Sequence, residues 1–157
     1  MYFSTVLCSA DESGGSLQQY TSTLGAKVMV IHQPFHRSGR IKKLLLNVNS
    51  TFTNTIKVGI FTFTASSEGT ARDVQSLTVN SGSGLRVQVL STPMLVTKGE
   101  MLVVEGAAVQ AAWSAGHVGE GNVVKELSSA TLTTSAIHAV THTYAGNVAV
   151  RAVMEGG

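Results

Sequence analysis

The histidines raise the first chemical question. Four of the five fall in two similar pairs, His32 and His36 in IHQPFH and His138 and His142 in IHAVTH. On a helix, a spacing of four would turn both imidazoles of a pair to one face, where they could share a zinc ion. Pro34 argues against a helix in the first pair, and the Thr and Val content argues against one in the second. On a strand, residues four apart stand about 13 Å apart, too far to share one ion. A metal would then need one histidine from each of several chains around a symmetry axis. Ordinary structural roles account for these residues more simply, and no metal or other cofactor is expected.

Catalytic carboxylates and nucleophiles are equally sparse. Glu100 and Glu105 flank a short apolar run, and five positions apart on a strand they point to opposite faces. A glycosidase pair needs two carboxyls facing one substrate. Asp73, Glu120 and Glu126 would have to converge through the fold. No G-x-S-x-G occurs, and the Gly-Ser runs at 14–16 and 81–84 lack a strand-to-helix context. Neither 82–84 nor 119–121 is followed by the Lys-Ser/Thr that a phosphate loop needs, so both read as hairpin turns. Cys8 is the single cysteine, which excludes an internal disulfide. A non-enzymatic protein is expected, with a polysaccharide hydrolase as the most distant alternative.

Binding residues are easier to nominate. Arg37, Arg40, Lys42 and Lys43 form a basic cluster, with Arg40 and Lys42 on one strand face and Lys43 opposite. Such a cluster can meet an acidic partner, or guard an edge strand against sheet-to-sheet aggregation. Trp113, Tyr20 and Tyr144 are candidates for sugar stacking or interface packing. His117 belongs to the Gly-rich loop 116–122, a candidate docking element. Asn49-Ser50-Thr51 fits a glycosylation sequon, read as chance because the start MYFSTVLCSADESGG lacks a basic leader.

Composition bounds the class. The 157 residues suit one domain that buries roughly 70% of its unfolded surface without staples. Only 13% of residues are charged, against about 25% in a typical globular protein. A net charge of +2 is too small to argue for nucleic acid. There is no run of about 18 apolar residues, so no membrane partner is expected. Charge depletion suggests a surface partly covered by neighbouring subunits.

The elements that must position these residues are strands. Turn-forming groups recur along the chain: HRSGR, NSTFTN, SSEGT, NSGSG, TKGE, GHVGEGN and YAGN. Short apolar runs lie between them, the pattern of an all-β sandwich or barrel. A strand over 27–31 is expected to continue past Pro34. Over 55–64, Ile56, Val58 and Ile60 share one face while Phe61 and Phe63 take the other, so both faces are covered there. Leu85, Val87 and Val89 form one apolar face opposite Arg86 and Gln88, and Val148, Val150, Ala152 and Met154 form another. In STPMLVTKGEMLVVEG, Pro93 belongs at the start of a strand or on an edge. Lys98-Gly99 turns the chain through a positive φ, and 101–104 enters the core. Residues 109–122 read as a strand end and a mobile loop, and 126–143 as extended chain. Residues 1–26 form an N-terminal arm, polar and Gly/Ser-rich over 9–25, and 27–157 the sandwich domain: all-β, antiparallel and single.

The segments GRIKKLLLNVNST, NTIKVGIFTFT and STPMLVTKGEMLVVEG carry one resemblance. They resemble the jelly-roll-like β-sandwich modules of tailed-bacteriophage virions, found in tail fibres, tailspikes and capsid-decorating proteins. Gly39, Ile41 and Leu44 match a strand of the form G-x-I-x-x-L. Pro93, Val96, Lys98, Gly99, Glu100 and Leu102 match a later P-x-x-V-x-K-G-[DE]-x-L element. The resemblance spans residues 39–105 and carries no catalytic residue. It implies a virion structural protein, assembled in the host cytoplasm, docking on other virion proteins as a homo-oligomer such as a trimer. A receptor-recognition module for host-surface glycan is the alternative it implies.

Overall fold

In a computed structural model of the chain, the described residues are 4–6, 25–48, 54–79, 84–106, 109, 111–115, 123–128, 131–148 and 150–154. Among them are eleven strands and no helix. In chain order they are β1 (Ser4–Val6), β2 (Val28–Ile31), β3 (Gly39–Val48), β4 (Asn54–Ala65), β5 (Glu68–Val79) and β6 (Gly84–Val96). There follow β7 (Met101–Glu105), β8 (Ala111–Ala115), β9 (Val123–Leu127), β10 (Ile137–Val148) and β11 (Val150–Met154). They form two antiparallel sheets, consistent with a β-sandwich. A four-stranded sheet has the order β1-β11-β3-β6, and a seven-stranded sheet the order β5-β4-β7-β2-β9-β10-β8.

The seven-stranded sheet curls on itself. β10 divides its edges: 140 and 142–145 pair with β9, 144–148 with β8, and 137–139 with the start of β5. The last pairing joins the sheet's first strand to its sixth, closing β5-β4-β7-β2-β9-β10 into a ring. β2, β4 and β7 are therefore apolar on both faces. Met29, Ile31, Ile56, Val58, Ile60, Leu102 and Val104 meet Ile41, Leu44, Leu46 and Met94 between the sheets. Val28, Val30, Phe61, Met101 and Val103 instead fill the ring, with Leu127 and Leu132. The continuous VMVI and MLVV runs are the sequence trace of this double burial.

Register shifts decide which side chains reach which core. On β3, the shift between Ile41 and Lys43 lets Ile41 and Leu44, three apart, both face the core. Lys42 and Lys43 are both left exposed, so the expected opposition of these two lysines does not occur. On β6 the same irregularity opens residues 90–93, and Pro93 lies in it, exposed on the edge strand, as its missing N–H requires. On β6 the expected alternation of Val87 and Val89 against Gln88 holds, with the apolar face turned outward. Val87 and Val89 are 57% and 67% exposed, and Gln88 is the half-buried residue between them. At the other end of the chain, Val148 closes β10 and Val150 opens β11 in the opposite sheet. Both are fully buried in one core, so the predicted alternation survives a change of sheet.

Several loops behave as read and others do not. Gly99 holds a φ of 96° in the TKGE turn, and the Glu100 N–H closes it on the Thr97 carbonyl at 3.0 Å. Phe35, buried beyond the exposed Pro34, donates to the Glu100 carbonyl and accepts from Gly99 N–H, each at 2.9 Å. β2 thus stops at Ile31 rather than running on. Among the described residues of 126–143, only the ends are strand, and 131–136 carry a single bridge, Thr134 to Ala71. The arm contributes β1, paired with β11.

Gly69 marks the tightest approach in the ring. A Cβ there would stand 2.3 Å from the Thr62 carbonyl oxygen and 2.6 Å from the Phe61 ring. Gly69→Ala is therefore expected to destabilise the fold by about 2 kcal/mol or more, the cost of forced overpacking. Urea denaturation of both proteins measures it, and an unchanged midpoint contradicts this packing.

Candidate functional site

Four of the nominated acids, Asp73, Glu100, Glu105 and Glu126, make structural contacts. Arg72 of β5 reaches Glu100, at the foot of β7, through two parallel contacts: Nη2 donates to Oε1 at 2.5 Å and Nε to Oε2 at 3.1 Å. Glu100 also accepts from Thr97 N–H at 2.7 Å and from the Thr62 hydroxyl at 3.1 Å. Arg72 Nη2 donates further to the Leu95 carbonyl of β6 at 2.8 Å, and Nη1 pairs with Asp73. Gln75 Nε2 donates to the Thr92 carbonyl at 2.6 Å. Together these contacts tie the edge of the small sheet to the large one. A register shift in β5, with Asp73 at a φ of 55°, accompanies the turn of Arg72 toward Glu100.

A second polar network joins β2, β9 and β10. Glu126, 16% exposed, lies 3.2 Å from Lys27 Nζ and accepts from the Tyr144 hydroxyl at 2.8 Å. His142 Nδ1 stands 3.5 Å from the same carboxylate, and its ring stacks on Tyr144 at 5.7 Å. The hydrogen bond to Glu126 pushes the Tyr144 phenol above its ordinary value. His138 does not join this network. A bulge between Val140 and His142 separates the two histidines, and His138 is buried with Nε2 donating to the Thr133 carbonyl at 3.1 Å. That bond and the one from Leu132 N–H to Glu105 at 2.6 Å hold 131–136 over the ring core. Among the described residues, no three His, Cys, Asp or Glu gather into a group that could hold a metal ion. Asp73 and Glu126 serve separate networks, and Glu120 lies outside the described residues.

The nominated binding residues divide. Arg40, Lys42 and Lys43 are exposed along β3, and Arg37 is half-buried in the segment before it. Trp113 lies on β8 in register with Gly146, and His117 falls outside the described residues. The nominations missed the surface beside Lys43. Val87 and Val89 of β6 stand opposite Leu45 and Lys43 of β3, and Lys43 stands opposite Val153 of β11. Leu45 and Val153 are half-buried, so one outward face of the small sheet carries a row of aliphatic side chains next to a lysine. The Val-Gln-Val alternation was the available signal, and its sidedness depended on pairing.

A third cluster lies at the rim of the ring core. Phe63 of β4 packs edge-to-face with Phe61 at 5.0 Å and with His32, just past β2, at 5.7 Å. Lys125 of β9 places its ammonium 5.5 Å from the Phe63 ring centre. Burial pushes the His32 imidazole below its ordinary value, and Lys125 adds to the effect. No family model, curated protein or solved structure matches this chain.

The Arg72–Glu100 pair makes a pH prediction. Burial alone raises Glu100, but hydrogen bonds from Arg72, Thr97 and Thr62 outweigh it and hold the carboxyl below its ordinary 4.5. A carboxyl depressed in the folded state adds stability that is present above its unfolded value and lost as pH falls through the folded one. Glu100→Gln is expected to cost about 1–3 kcal/mol at neutral pH. Its deficit shrinks on acidification below the ordinary carboxylate range. Urea midpoints from neutral to acid pH measure this, and a pH-independent deficit contradicts it.

Proposed function

We propose that this chain is a non-enzymatic virion structural protein that docks on other virion proteins as a capsid-decorating or tail and fibre component. It works as a homo-oligomer, a trimer in the form its resemblance implies, assembled in the host cytoplasm. The observation that carries the reading is the outer face of the small sheet. An edge strand exposing Val87 and Val89 beside Leu45 and Val153 is a surface that gains from being covered. Leu95, 64% exposed near the far end of the same strand, extends the apolar character of that edge. The engagement of Glu100, Glu105 and Glu126 in bonds that hold strands and turns together supports a structural over a catalytic role. The low charge content supports it as well.

The test is association. Light scattering on a sizing column is expected to show a multi-chain species for the wild type and a smaller one for the Val87→Lys/Val89→Lys double variant. Far-UV circular dichroism should be unchanged, since both side chains point to solvent. A wild-type monomer that the substitutions leave unaltered, and that never enters particles, overturns the proposal.

A further inference from the structure

We infer that the rim of the ring core, where Lys125, His32 and Phe63 meet, is a binding site for a small carboxylate. The three residues come from separate elements, β9, the end of β2 and β4, and are all half-buried. Two nitrogen-bearing side chains are brought together there with no acid among the described residues. Among the described residues, the contact of the Lys125 ammonium is the Phe63 ring and that of the His32 ring is the same phenylalanine. Two other half-buried charges of this fold are matched, Arg72 by Glu100 and Glu126 by Lys27. Here the cation is left uncompensated beside an imidazole whose proton it repels. Half-buried positive charge without a counter-charge is costly, and an incoming anion removes that cost.

Charge and shape narrow the ligand class. One ammonium and one neutral imidazole N–H present a single positive charge and two kinds of donor, which suits a monoanion with two oxygens. A phosphate dianion would call for a second cation. Phe63, backed by Phe61, gives the site an apolar wall that suits the carbon skeleton attached to a carboxylate. The carboxylate could belong to an organic acid or to an acidic sugar. This site is separate from the small-sheet face and does not depend on the docking proposal.

Histidine-ring proton–nitrogen NMR spectra of the intact protein at low salt, titrated with acetate, glucuronate, phosphate and glucose, test the assignment. Acetate and glucuronate are expected to shift the His32 ring resonances saturably, phosphate more weakly and glucose not at all. Binding of both carboxylates assigns the site to the carboxylate alone, whereas glucuronate alone assigns it to an acidic sugar. Lys125→Met should weaken binding at least ~10-fold, the loss expected when one charge-assisted hydrogen bond is removed. Lys125→Arg, which keeps the charge, retains binding and controls for folding. A flat His32 signal with both carboxylates, or tighter binding of phosphate or glucose, overturns the inference.

Discussion

β2, β7 and the middle of β4 have no face turned to water, and the other strands are arranged around that condition. A strand buried on both sides must satisfy its backbone through ladders on both edges and its side chains through two separate cores. The small sheet supplies one cover. The other comes from the large sheet itself, which curls until β10 reaches β5 and encloses Phe61, Met101 and Val103. Leu132, held by Glu105 and by the His138–Thr133 bond, completes the enclosure. Closing into a ring also covers the start of β5, while β8 in the large sheet and β6 in the small one remain terminal strands.

Polar chemistry in this protein follows from the same constraint. Where strands end or change register at the margin of a core, a charged side chain is drawn in and matched. Arg72 meets Glu100 where β5 bulges, and Glu126 meets Lys27 and Tyr144 beside the bulge of β10. The carboxylates that a sequence search for catalysis would pick out are the ones the fold uses to fasten strands and turns. The rim around Phe63 departs from that pattern, which gives it a different meaning.

The strand-and-turn architecture was legible in the amino-acid sequence because it is local. Alternation over 55–64 set Ile56, Val58 and Ile60 against Phe61, and Gly99 marked its turn. What the sequence left hidden depends on pairing. Alternation tells which residues share a face but not which face is inside, and the apolar face of Val87 and Val89 lies outside. One inserted residue reverses sidedness, which explains why Lys42 and Lys43 both reach solvent and why His138 and His142 part. Lys27, Glu126 and His142 are distant in the chain, and only the neighbouring positions of β2, β9 and β10 bring them together. The same holds for His32, Phe63 and Lys125.

The order of strands in the small sheet has a bearing on biosynthesis. One of its two inner positions is filled by β11, the latest in chain order of the described strands, which separates β1 from β3. The nascent chain therefore carries the Leu44-Leu45-Leu46 segment with one flank unprotected until residues 150–152 have emerged. A triple leucine waiting for its neighbour is an invitation to off-pathway aggregation. Arg40, Lys42 and Lys43, immediately upstream, are placed to act as electrostatic gatekeepers during that interval.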